Sequence, residues 1–316
     1  MRLFVSIASY CDPVLPFTLR RAVQTATQPG RLHFGVVDQS PAGTPRVAHP
    51  GGGCRLSQVR IAIEDARGLC WARALAMSLH DGEEWFLQLD AHMDFDPGWD
   101  ERLIAAAQAL GAPSRPLVIS SYPSAFRLVH GAPVRDTLTH GVLAQVVRPG
   151  AAFAREHPVL PFEAHPVNTG SALPAFHVGA GCLFAPGCIV QQFPYDPWLY
   201  FHGEEQALAL RLFTHGWDLF HMPDLPLHHQ YKDAGPDAPD RPMHWDAAHE
   251  ALREVDWWTL EQRSRARLAR LVAGEDLGAY GLGAVRTLAD FAAFSGIDYT
   301  ARTLAPRAFL PRPAGA

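Results

Sequence analysis

The first half of the chain alternates compact apolar runs with amphipathic stretches. Leu3–Ala8, Leu32–Val37, Glu84–Leu89 and Leu117–Ser121 are short β-rich runs, and Val59–Ile63 alternates as a half-buried strand does. Between them Phe17–Thr25, Ala72–Leu79 and Trp99–Leu110 carry good helix formers. Asp38–Gly53 is rich in Pro and Gly and reads as a loop. Strands alternating with helices predict an α/β domain around a mostly parallel sheet. Ligands in such sheets bind beyond the carboxyl ends of the strands, where Asp38 and Asp90 fall.

The second half is less regular. Scattered Pro and Gly across Leu128–Asn168 predict antiparallel strands and loops. Gly181–Ala185 reads as a buried strand, and Glu204–Thr214 as a helix with Leu208 and Leu212 on one face. The Asp/Pro/Gly-rich segment from about Lys232 to Pro242 predicts a boundary, and Ala247–Ala273 a charged helix beyond it. The expected organisation is a domain over residues 1–232 and a mainly helical segment over 233–316 packed on it.

Composition narrows the function classes. With 316 residues and 48% apolar content, the chain can bury a sizeable core. A net charge of -5 and a pI near 6.3 give no basic footprint for nucleic acid. Five cysteines without a C-x-x-C pair predict reduced thiols. The start lacks a signal-peptide pattern, and no apolar stretch approaches the roughly 20 residues of a membrane span. A cytoplasmic location with no membrane span is expected.

Four segments could carry chemistry. In Trp85–Phe95 a strand runs into Asp90-Ala91-His92, and alternation lets Asp90 and His92 face one side. A carboxylate with an imidazole forms half a site for Mn²⁺ or a similar cation; a capped surface turn is the plainer alternative. In Phe201–Glu205 a carboxylate either accepts hydrogen bonds from a ligand or complements the dipole of the helix that follows. Either imidazole of Pro226-Leu227-His228-His229-Gln230-Tyr231 could be a third ligand, or both could be surface polar groups among 16 histidines. Arg73, on the helix opened by Gly68, could fork onto a phosphate or a carboxylate, or be solvated. A phosphate-cradling Gly-rich loop, a G-x-S-x-G elbow and an H-E-x-x-H zinc motif are all missing from the sequence.

The order of these pieces forms a pattern. Phe4–Tyr10, Phe34–Gln39, Ala66-Arg67-Gly68 with Trp71-Ala72-Arg73, and Leu87–Met93 with Trp99-Asp100 come first. Pro194-Tyr195-Asp196-Pro197 then leads to His202-Gly203-Glu204-Glu205, with Tyr280–Gly283, Arg286–Leu288 and Ser295–Asp298 near the end. The chain resembles, over nearly its whole length, the cytoplasmic-type polypeptide α-N-acetylglucosaminyltransferases, whose best-known members modify hydroxyproline on a ubiquitin-ligase adaptor. The resemblance implies a GT-A fold, UDP-GlcNAc as donor, a divalent cation such as Mn²⁺, and retaining transfer to a hydroxyl of a protein or saccharide acceptor. The acceptor side is expected around Leu128–Asn168.

Carried over residue by residue, the resemblance makes Asp90 and His92 metal ligands. The His-x-Tyr pattern of this family selects His229 as the third. Spacing from Glu204 in the related polypeptide N-acetylgalactosaminyltransferases selects His228, and His229 is favoured. Asp90, His92 and Glu204 would be catalytic; Ser9, Gln39 and Arg73 would lie near the nucleotide, and Gly181, Asp196 and Glu204 near the sugar. The chain departs from the family at Cys11, where an arginine is usual, at Leu69 for a proline and at Ala91 for a serine. The Cys11 departure leaves open an alternative: a catalytically weak or inactive UDP-sugar- or glycan-binding protein of the same fold.

Overall fold

The computed structural model describes residues 1–136, 141–232 and 240–314. Its centre is an eight-stranded sheet. In chain order the elements of the first half are β1 (Leu3–Tyr10), α1 (Leu15–Thr25), β2 (Leu32–Gln39), β3 (Arg55–Ile61), α2 (Leu69–Met77), β4 (Trp85–Leu89), β5 (Met93–Phe95) and α3 (Trp99–Ala109). Next come β6 (Leu117–Ile119), β7 (Ser124–Val129), β8 (Ala132–Arg135), β9 (Val142–Val147), β10 (Phe162–Val167), β11 (Leu173–Ala175) and β12 (Cys182–Pro186). The last are α4 (Ile189–Gln192), α5 (Glu204–Thr214), β13 (Asp218–His221), β14 (Leu227–His229), α6 (Ala247–Glu250), α7 (Trp257–Val272) and α8 (Leu288–Ser295).

The strand order is β11-β13-β6-β12-β4-β1-β2-β3. The β3-β2-β1-β4 run and the β13-β6 pair are parallel, whereas β12 enters antiparallel between β4 and β6, and β11 closes one edge antiparallel. The expected mostly parallel sheet is therefore present, interrupted by β12. That interruption positions the site: because β12 runs against β4, its first residues lie at the carboxyl end of β4, and Asp90 N–H donates to Gly181 O at 3.4 Å.

Side-chain alternation divides the core into two layers. Leu3, Val5, Ile7, Leu87 and Phe184 point to α1 and α3, where Trp99 and Leu103 are fully buried. Phe4, Phe86 and Leu183 point the other way, into a cluster shared with α5, α7 and α8. Each such large apolar side chain contributes about 1.5–3 kcal/mol on burial.

Beyond residue 240 the chain stays attached to this core. Leu268 and Leu271 of α7 and Phe291 of α8 are buried with Leu212 and Phe213 of α5. The helix expected over Ala247–Ala273 is split into α6 and α7, because Asp256 adopts extended backbone and caps α7 by accepting from Thr259 N–H. All five cysteines are free. Among the described residues no helix is long and apolar enough to cross a membrane.

Candidate active site and metal centre

A cleft of about 830 Å³ opens over the carboxyl ends of β1, β2 and β4. At its floor the chain leaves β4 at Asp90, turns through Ala91 and His92, and enters β5. There β5 pairs antiparallel with β14, matching His229 to Met93 and His228 to Asp94, while Gln230 N–H donates to His92 O. Neighbours on a strand face opposite ways. His228 therefore shares a side with Asp94, and His229 faces away from it; His92, in the bend before β5, turns its ring to meet His229.

Three side chains converge as a result. His229 Nε2 lies 2.9 Å from His92 Nε2 and 3.2 Å from Asp90 Oδ2, and His92 Nε2 lies 3.9 Å from the same oxygen. Two imidazole nitrogens in contact can share only one proton, so lone pairs crowd a single point. Ligands at adjacent corners of an octahedral ion with bonds near 2.1 Å sit about 3 Å apart, which the two separations from His229 match, whereas the one from His92 to Asp90 is wider. Asp12 accepts from His92 Nδ1–H at 2.7 Å, which fixes the tautomer and turns the Nε2 lone pair inward. His229 Nδ1 is buried without a partner among the described residues.

The Asp90 carboxylate is held ionised. Burial pushes its pKa up, but the His229 hydrogen bond and the Arg73 guanidinium outweigh that and hold it well below the usual carboxylate range. Arg73 is buried on α2, with Nη2 on Asp90 Oδ1 at 3.0 Å and Nη1 on Glu204 Oε1 at 2.6 Å. Glu204 accepts on its other oxygen from Tyr195 O–H and Cys70 S–H. Burial raises the Glu204 pKa, and Arg73 opposes the rise. Gly181 lies against Asp90 because it has no side chain; a Cβ there would sit 2.6 Å from Asp90 Oδ2. Gly68, with φ 98°, opens α2 beneath the Tyr200 ring.

The expected site residues divide accordingly. Asp90, His92, His229, Arg73, Gly181, Gln39 and Glu204 all line the cleft. His228 does not join them: its Nε2 meets Asp96 Oδ1 at 3.1 Å on the far side of β14. Ser9 is buried beneath the wall, its carbonyl accepting from Gln39 Nε2, while Ser9 Oγ and Gln39 Oε1 have no partner among the described residues. Asp196 is buried against Arg267 Nε at 2.6 Å, outside the cleft lining. Glu204 reaches the wall, but both its oxygens are engaged by protein donors, unlike a carboxylate free to meet a sugar.

Other residues meet the cleft that sequence reasoning did not single out. Glu205 accepts from Ala180 N–H at 2.8 Å and keeps its side chain 34% exposed. Asp12 and Arg241 lie beside Asp90 and His92, and His244 and Trp245 also line the cleft. Arg241 belongs to the stretch expected as a boundary, and only its position in the fold reveals it. The adjacency of Asp12 to the first strand motif was the available signal for that residue.

Among solved structures, a crystal structure of GalNAc-T7 with UDP, GalNAc and Mn²⁺ is similar, with a TM-score of 0.57 and 12% identity over 97% of this chain. This chain covers 59% of that longer one. The likeness defines the fold class, GT-A. No curated protein matches the chain. Residues 2–51 and 44–301 match the glycosyltransferase (GlcNAc) family, and the chain belongs to that family.

Proposed function

We propose that the protein is a retaining, metal-dependent transferase moving GlcNAc from UDP-GlcNAc to a hydroxyl of a protein or saccharide acceptor in the cytoplasm. The observation that carries this reading is the convergence of Asp90, His92 and His229 on the floor of the cleft. Membership of the glycosyltransferase (GlcNAc) family supports it, as do the UDP and Mn²⁺ in the similar structure. The division after residue 232 separates, on this reading, the catalytic core from a helical segment that completes the cleft wall.

Asp90, His92 and His229 would hold the cation, and their mixed oxygen and imidazole set suits Mn²⁺. When bound, the cation supplies positive charge to the donor diphosphate as the glycosidic bond breaks. The protein's own groups do the rest. Asp12 keeps His92 in the ligating tautomer. Arg73 takes Asp90 Oδ1 and leaves Oδ2 facing the two imidazoles, while Glu204 anchors Arg73 from behind. Glu204 is thus a positioning residue. Arg241 brings a second positive charge beside the ligands, and Gln39 borders the nucleotide. Glu205, half-exposed on the same wall, offers a carboxylate oxygen to sugar hydroxyls. In front-face transfer the departing phosphate oxygen takes the acceptor proton, so no separate protein base is needed. Preorganised charge then provides most of the acceleration.

UDP release from UDP-GlcNAc, with and without added Mn²⁺, tests the reading. We expect metal-dependent release that Asp90→Ala abolishes. UDP binding without turnover on any UDP-sugar would favour the inactive binding protein instead.

A further inference from the structure

A second groove, larger than the cleft at about 1100 Å³, lies on the outer side of α2. It runs between that helix, the Pro197–Tyr200 loop and α7, and Tyr200 borders both it and the cleft. Two indole rings dominate it. Trp198 is 68% exposed, an unusual position for so large an apolar side chain. Trp71, half-buried on α2, lies under the Arg67 guanidinium, 5.8 Å from ring centroid to Cζ. Leu199, Val255 and Leu260 fill the wall between polar groups.

The charges around this groove decide what it can hold. Arg267 is neutralised by Asp196 and Arg270 by Glu275. What remains is Arg67, Arg253 and Arg263 against Glu64, Asp65 and Glu254, three positive and three negative groups. A balanced rim gives no net attraction to an acidic peptide, a polyphosphate or a polycation. It does present both donors and acceptors around aromatic faces. That combination fits a neutral, polyhydroxylated ligand whose C–H faces stack on indole and whose hydroxyls bond to both signs of charge.

We infer that this groove is a second carbohydrate-binding site, separate from the donor cleft, with Trp71 and Trp198 as stacking platforms. The ligand class rests on the lining alone; only the choice of an N-acetylated probe rests on the transferase reading. Arg253 ties the two sites together. It lines the groove while donating to Tyr10 O–H and His244 O on the cleft side. Sugar bound in the groove therefore lies beside Arg253, which is hydrogen-bonded to residues of the cleft lining.

The test is a titration of the full chain with chitotetraose, followed by tryptophan fluorescence and saturation-transfer NMR. We expect saturable binding in the millimolar range or tighter, unchanged by saturating UDP with Mn²⁺ and retained in Asp90→Ala. Trp198→Ala should weaken binding at least about tenfold while melting as the wild type does and keeping its UDP release. Arg263→Ala, at an exposed position, should weaken it in the same direction. Absence of saturable binding overturns the inference, as does competition by UDP or a response to an acidic peptide in place of the oligosaccharide. An Asp90→Ala protein that binds chitotetraose but releases no UDP supports this site independently of the reaction; a protein that releases UDP but ignores chitotetraose sinks only this site.

Discussion

Two clusters of Asp, His and Arg flank β5 and β14, built from the same residue types. On one side Asp90, His92 and His229 bring a carboxylate and two imidazole Nε2 atoms to one point, open to the cleft. On the other, Asp94 and Asp96 meet Arg21, Arg102 and Arg135, and His228 points its Nε2 at Asp96. The difference lies in how the carboxylates are satisfied. The closed cluster saturates its acids with guanidinium groups and leaves no convergent lone pairs, so it staples the small sheet. In the open cluster Arg73 takes only one oxygen of Asp90 and is itself shared with Glu204, so ligating capacity remains. Adjacent residues of β14 thus face a candidate metal centre, at His229, and a structural ion-pair network, at His228.

The comparison can be broken at several points. The largest effect is expected for Asp90→Ala, which should lower metal-dependent UDP release by about 10³-fold or more, measured in an initial-rate assay with Mn²⁺. Folding should survive, because Asp90 lies at the cleft. The mirror experiment is Asp94→Ala. Removing this fully buried carboxylate takes Arg21's ion-pair partner away and leaves Arg135 with Asp96 alone, and should cost about 3 kcal/mol of stability, read from urea denaturation.

A third expectation concerns pH and lies outside both clusters. His221 donates from Nδ1 to Ser120 O and accepts the Gln145 N–H on Nε2, so it must stay neutral to keep both bonds. Burial lowers its pKa to about 4. The unfolded chain then binds the proton more readily between pH 6.5 and 4. Stability should be complete above pH 6.5 and fall as the pH drops through that window, by about 3 kcal/mol from this group. Urea midpoints at pH 7 and pH 4.5 measure the fall. A smaller effect is expected for Asp12→Asn, which frees the His92 tautomer and should weaken Mn²⁺ binding about 10–100-fold.

Much of this was legible in the sequence. The central strands and α1, α2, α3 and α5 followed from apolar runs and helical periodicity, and the carboxyl end of β4 pointed to Asp90. The three-residue strands β5 and β14 were not legible, because runs that short carry no period. Only their pairing sends His229 inward and His228 away, so family likeness could rank the two without resolving them physically. Asp196 and Arg241 illustrate the other gap. Whether a charged residue meets a buried partner or a cleft depends on which distant segment covers it: Arg267, 71 residues on, claims Asp196, whereas the chain's return after residue 240 brings Arg241 near Asp12 and Asp90.

The most direct test of the central claim is Mn²⁺ affinity, measured by electron paramagnetic resonance in the presence of UDP. The wild type, His229→Ala and His228→Ala would be compared, each after confirming its fold by circular dichroism. The account predicts that His229→Ala weakens binding by more than the roughly 10–100-fold typical of an outer-shell change, while His228→Ala stays near wild type. Equal losses in the two variants, or a loss confined to His228→Ala, would contradict it.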